Sequence, residues 1–198
     1  VTAAMNQIAD RYRRRAEAFE QKIAAVRPGQ WSEQSPCAAW TARDVVAHIV
    51  AMHAAMLRPV HRDLSPAPSV GDDPLAAFLA ARVDVQAVLD SPELAETECD
   101  TPTGQMSVEQ QIDEVLSDDL VLHGWDLARA TGQDDAMDPG DVARLWSSAL
   151  AIPADLMEKC RTPGAFGPGI EVYGPEVTVP DDAPLQDRLL GLLGLDPR

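Results

Sequence analysis

The chain has 198 residues, 16 of them Lys or Arg and 32 Asp or Glu, giving a formal charge of −16 with His neutral. Phosphate backbones and anionic membranes repel so acidic a surface unless a dense basic patch offsets it. The one basic cluster, Arg11, Arg13, Arg14 and Arg15, is outweighed elsewhere, so nucleic acid and membrane are excluded as partners.

An apolar fraction of 45% and a charged fraction of 24% suit one globular domain over residues 1–198 with a real core. No apolar run approaches the roughly 18 residues a bilayer span needs. The first residues, VTAAMNQIADRYRRR, lack the apolar stretch of a secretory signal. Three cysteines, Cys37, Cys99 and Cys160, show no CxxC spacing, so neither a disulfide framework nor a Cys-rich zinc site is expected, and a reducing cytoplasm is the expected location.

In chain order, Ile8, Tyr12, Phe19, Ile23 and Val26 recur at helical spacing and predict a helix from Met5 to Val26, ended by Pro28 and Gly29. Thr41 with Asp44 forms a capping box that opens a second helix running to Leu57. A Pro-rich loop leads to Asp73-Pro74, an N-cap and first-turn pair, and a third helix to Leu89. Ser91 to Gly104 reads as a brief strand or an extended loop. Ser107 and Gln110 cap a long fourth helix from Val108 to Ala130, stopped by Gly132, and Asp138-Pro139 starts a fifth that continues toward Cys160. Ile170, Val172, Val177 and Val179 are candidate strand residues, and Pro184 begins a short amphipathic helix. The fold class is therefore all-α, a four-helix bundle with a short C-terminal helix and room for a short β-hairpin.

The fourth helix carries polar groups on a face that should be apolar. Its stripe of Ile112, Val115, Leu116 and Leu122 continues through Asp119, His123 and Asp126. An uncompensated buried carboxylate costs on the order of several kcal/mol, and a divalent cation would compensate it. Asp119 and His123 stand one turn apart and can converge on one ion. On the second helix, Val45, Ile49, Met52 and Met56 mark the inward stripe, and His48 shares it. Two His and one carboxylate with open positions suit Zn²⁺, Fe²⁺ or Ni²⁺ at a catalytic site. The plainer reading makes each a hydrogen-bonded core residue. His53 and His61 read as rim or surface residues, Asp126 as a partner orienting His123 or a backbone cap, and Cys37 as a small thiol packed in a loop.

The blocks SPCAAWTARDVVAHIV and DDLVLHGWDLARATGQD, with the tail RTPGAFGPGIEV and VPDDAPLQDRLLGLLG, resemble actinobacterial metal-binding proteins related to the N-terminal domain of mycothiol-dependent maleylpyruvate isomerase, in the DinB/YfiT-like superfamily. The likeness covers roughly residues 5 to 198. It implies a DinB-like four-helix bundle that holds zinc or nickel through one His on the second helix and a pair of ligands four apart on a later one. His48 matches the first ligand and His123 the last, while Asp119 stands where the isomerase has Glu and many relatives have His. It further implies a thiol-dependent transferase or isomerase, in which the metal activates mycothiol toward a small-molecule electrophile. Trp40, Met52 and Trp125 are candidates for shaping that cofactor pocket, core packing being the ordinary role of such Trp residues. A metal-dependent hydrolase is the alternative enzyme. A non-catalytic binding or sensing module, closed by a fourth ligand such as His53 or Asp126, is the alternative outside catalysis. Relatives of this kind are often homodimers, and no exposed apolar stripe in the sequence marks an interface.

Overall fold

The computed structural model describes residues 2–167 and 172–198, with side chains of the first helix from residue 7 onward. Two compact units divide the chain, Val1–Asp135 and Ala136–Arg198. The first contains helices α1 (Thr2–Ala24), α2 (Ala42–Leu57), α3 (Pro74–Leu89) and α4 (Pro92–Ala95), then a hairpin of β1 (Glu98–Thr101) and β2 (Gly104–Ser107), then α5 (Val108–Gln111), a π turn (Ile112–Leu116) and α6 (Ser117–Thr131). Helix α1 packs on α3 and α6, and α2 packs on α3 and α6, which closes a four-helix ring. The all-α expectation holds, and Ser91–Gly104 supplies both a short helix and the first strand.

The helix starts are set by their caps. Thr41 accepts from the Asp44 N–H while the Asp44 carboxylate accepts from the Thr41 N–H, and Ser107 and Gln110 repeat the arrangement. Asp73 caps α3 ahead of Pro74 by accepting from the Ala76 N–H. Gly132, at φ 66°, ends α6 in the left-handed region that costs glycine nothing. Inside the ring, Ala9, Tyr12, Ala16, Phe19, Ile23 and Val26 of the first helical segment meet Val45, Ile49, Phe78, Val85, Ile112, Leu116 and Leu127.

The π turn changes the reading of the last helix. Steps of three and four from Val108, Ile112 and Leu116 lead to Asp119, His123 and Asp126. The regularly spaced buried positions are instead Ser117, Leu120, Gly124, Leu127 and Thr131, each one residue later, with Trp125, Asp126 and Ala128 also buried. A π turn holds one extra residue and so rotates the remainder of the helix by about 100°. Leu122 and Val115 are half-buried, and Leu120 takes the core place expected of Leu122. Two ion pairs from α1 flank the turn. Arg11 grips Asp113 through Nε and Nη2 at 2.8 and 2.7 Å, and Arg15 donates to the Ser117 hydroxyl at 3.1 Å and to Asp118 at 2.7 Å.

His53 is not a rim residue. It is fully buried, with Nδ1 2.7 Å from the Ile49 carbonyl and Nε2 2.9 Å from the Tyr12 hydroxyl. The α2 core face runs through Ala42, Val45, Val46, Ile49, His53 and Met56, leaving Met52 half-buried at its flank.

In the second unit, α7 (Pro139–Ala151) and α8 (Ala154–Cys160) replace the single fifth helix, broken where Ile152 precedes Pro153. Helix α9 (Leu185–Leu192) packs on α7. Val172, Val177 and Val179 form no strand, and Ile170 lies outside the described residues. Pro175 and Pro180 lack donors, and this segment bonds to helix ends instead of a ladder, through Tyr173 N–H to Cys160 and Val177 N–H to Gly191. Gly191 allows the approach, since a Cβ there would lie 2.5 Å from the Val177 carbonyl oxygen.

The π turn and His53 each make a stability effect measurable. Removing Glu114 should turn the π turn into regular helix, line Ile112 up with Ser117, Leu120 and Leu127, and keep the melting midpoint within about 4 °C. An Ala inserted after Glu114 should throw Leu120 and Leu127 off the core, at ~1.5–3 kcal/mol each. Equal damage in thermal melts of both variants would refute the extra-residue account. For His53, burial first and the nearby Arg82 push its pKa down to about 4, against the opposing Ile49 hydrogen bond and Asp84. The unfolded chain therefore takes up this proton first as pH falls below about 6.5, and stability drains away at up to about 1.4 kcal/mol per pH unit until about pH 4. His53→Gln should flatten that slope in urea titrations run with chelator; an unchanged slope would assign the acid sensitivity elsewhere.

Candidate metal centre

Rotation by the π turn moves Asp119 and His123 off the bundle axis and onto the seam where α6 faces α2. His48 comes to the same seam from α2, seven residues after its Thr41 cap. One donor atom from each of His48, Asp119 and His123 lies within 4.8 Å of the other two. The His48 Nε2 is 3.6 Å from an Asp119 oxygen, and the two imidazole centroids are 4.8 Å apart in an edge-on arrangement. Side-chain exposures of 28%, 25% and 19% for His48, Asp119 and His123 leave the group reachable by a small molecule. Among the described residues this is the one such cluster of His, Cys and carboxylate donors.

Asp126 completes the arrangement from one turn further along α6. Its Oδ2 lies 2.7 Å from His123 Nδ1, and its side chain is only 3% exposed. An ionised carboxylate can only accept, so the proton in this bond belongs to Nδ1 and the lone pair of Nε2 points away from Asp126. Burial works to lower the His123 pKa, but the Asp126 hydrogen bond and the charges of Asp119 and Asp126 override it, and the net shift is upward. A carboxylate behind an imidazole is the usual support of a metal-bound His.

Trp40 covers the other side. Its ring centroid is 4.6 Å from that of His48 and 5.5 Å from that of His123. The loop before α2 holds it there: the Gln34 amide donates to the carbonyls of Ser35, Cys37 and Trp40, and Gln34 pairs with Thr41 in an isolated bridge. Met52 sits half-buried against the main apolar cluster. Trp125 is buried, with the Arg129 guanidinium 5.6 Å from its ring centroid. Cys37 is half-buried in the Trp40 loop. Two open surface cavities of about 310 and 340 Å³ are lined by other residues, among them Asp84 and Arg62 in one and Trp31 and Arg43 in the other.

The donor chemistry fits a divalent cation. Two imidazoles and a carboxylate carried on helices suit Zn²⁺ and its neighbours in the series, whose bonds to such atoms are about 2.0–2.2 Å. A further observation points the same way, since Asp126 Oδ1 is buried with no hydrogen-bond partner among the described residues.

Comparison with known proteins agrees with this architecture. Residues 12–128 match the model of the mycothiol maleylpyruvate isomerase N-terminal domain, a span that holds all three donors and Asp126. Uncharacterized proteins of Mycobacterium tuberculosis, from strains CDC 1551 / Oshkosh and ATCC 25618 / H37Rv, are each 28% identical to the chain over 183 residues, covering 92% of it and 94% of their own length. No solved structure matches. No described helix is long and apolar enough to cross a membrane. The chain belongs to the mycothiol maleylpyruvate isomerase N-terminal domain family.

Proposed function

We propose that this protein binds one divalent metal, zinc by preference, through His48, Asp119 and His123, and serves as a mycothiol-dependent transferase or isomerase for a small electrophile. The observation that carries the reading is the convergence of these three donors beside Trp40 in a chain of this family. A divalent ion held there supplies a Lewis acid that keeps a neighbouring thiol ionised at neutral pH.

The chain's own residues prepare the place. His48 and His123 present ring nitrogens from facing helices, and Asp119 contributes the negative charge. Asp126 holds the Nδ1 proton of His123, which leaves Nε2 as the donor. The Trp40 indole walls one side and excludes water from it. Neither buried thiol is suited to be the nucleophile: burial, with Asp100 adding to it, raises the pKa of Cys99, and burial raises that of Cys160 despite Lys159. Trp40, Met52 and Trp125 are assigned to cofactor binding, Trp40 with the support of its ring contacts to both site histidines.

Purified protein should carry about one divalent ion per chain, and His123→Ala should lower the affinity at least 100-fold while the helical circular dichroism persists. Metal content unchanged in that variant would remove His123 from the site. The chemistry is read separately: metal-loaded protein should join mycothiol to monobromobimane faster than either the metal-free protein or the thiol alone. Ester hydrolysis without any thiol-dependent adduct would replace the transferase by a hydrolase, and a structure with a fourth protein ligand would replace both by a binding module.

A further inference from the structure

Asp126 is the most deeply buried carboxylate near the candidate centre, and its two oxygens have unequal partners. Oδ2 accepts from His123, whereas Oδ1 is buried with no hydrogen-bond partner among the described residues. The other carboxylate buried in this helix region is treated differently: Asp113 has both oxygens in a bidentate grip from Arg11. A carboxylate has about four lone-pair sites, and stability alone favours filling them or replacing the group by a neutral one. An acceptor held at 3% exposure with one partner is costly to the fold that contains it.

We propose that Asp126 is a positioning residue for His123, retained at the expense of the metal-free fold. Its charge fixes the imidazole tautomer and orientation for the ion, and while His123 is neutral only a cation beyond the ring compensates that charge. The inference rests on the metal-binding reading and adds a trade to it: Asp126 weakens the empty protein and strengthens the loaded one. Asn is the discriminating replacement. It has the same shape and no charge, and its amide can donate to Nδ1, which places the ring proton on Nε2 and takes that lone pair away from the metal. The same exchange behind a catalytic His is known to leave geometry intact and select the wrong tautomer.

The test uses the full chain and Co²⁺ as probe. Wild type, Asp126→Asn, His123→Ala and the double variant are melted in chelator at about pH 9, where imidazole is neutral, and the first two are titrated with Co²⁺ and read by visible absorption. Asp126→Asn is expected to raise the metal-free melting midpoint by about 2–4 °C, to bind Co²⁺ about 10–100-fold more weakly, and to alter the ligand-field spectrum. Adding Asp126→Asn to His123→Ala is expected to raise the midpoint further than it does alone, because Asp126 has then lost its remaining partner. A single variant that melts lower or fails to fold makes Asp126 an ordinary structural residue and overturns the proposal, as does an unchanged Co²⁺ affinity. Wild type that takes up no Co²⁺ fails the metal reading itself, whereas wild type that binds beside an unaffected Asp126→Asn fails the positioning role alone.

Discussion

Charge inside an apolar bundle needs a partner, and the disposition of carboxylates along one helix reflects how that need is met. At Asp113 the partner comes from the chain itself, since Arg11 on α1 reaches across and bonds both oxygens. One turn later Arg15, itself almost fully buried, takes Ser117 and Asp118. Arginine suits both places because its planar fork matches a carboxylate and stays charged when buried. Beyond Asp118 the α1 face turns apolar, through Phe19 and Ile23, and Asp119 and Asp126 receive no guanidinium among the bonds seen. The helix thus changes from protein-compensated carboxylates to carboxylates gathered around imidazoles.

That change coincides with the π turn. Without it, the apolar line of Val108, Ile112 and Leu116 would run on into Asp119, His123 and Asp126 and carry them onto the bundle axis, where no small molecule could reach them. The extra residue hands the axis to Ser117, Leu120, Gly124 and Leu127 and leaves Asp119 and His123 on the α2 seam. Gly124 is part of the same solution, for it faces Phe19 and Lys22 of α1 at a distance where a Cβ would sit in ordinary contact, 3.6 to 3.7 Å away. A packed α1 face behind the site and an accessible front are two consequences of one insertion.

The helices are legible in the sequence because their ends are written in local chemistry. Thr41 with Asp44, Asp73 with Pro74, and Ser107 with Gln110 each satisfy orphan N–H groups within three residues, so neither tertiary contacts nor a partner helix is needed to place them. The pairing of Asp119 with His123 is also legible, since one-turn spacing puts both on one side of a single helix, and His48 shares the inward stripe of α2. Phase is what escapes. Counting in steps of 3.6 presumes an unbroken α-helix, and a single π turn shifts every later position without leaving a Pro or Gly as a mark. His53 escapes for a related reason: the stripe through Met52 reads as the centre of the α2 core face, whereas that centre lies nearer Val46 and His53. The valines of the tail read as strands because β propensity describes a residue's fit to a ladder, and here helix ends supply the partners.

The contrast between the two buried histidines bears on which one can do chemistry. His53 has both ring nitrogens engaged, by the Ile49 carbonyl and the Tyr12 hydroxyl, and burial holds it neutral. His123 has one nitrogen engaged by a carboxylate and shares a cluster of donor atoms within 4.8 Å with His48 and Asp119, with its proton affinity raised. Tyr12 gains nothing from ionising, because burial raises its pKa as well. A closed network of this kind stabilises a core and excludes a ligand, whereas an open one with a carboxylate behind it can exchange a proton for a metal ion. The short side chain of Asp119 bears on the ion proposed for that place: Asp is one methylene shorter than Glu, so the helices themselves must bring His48 and Asp119 close. Their 3.6 Å separation does so, and is near the roughly 3.3 Å expected between neighbouring ligands of a tetrahedral zinc ion.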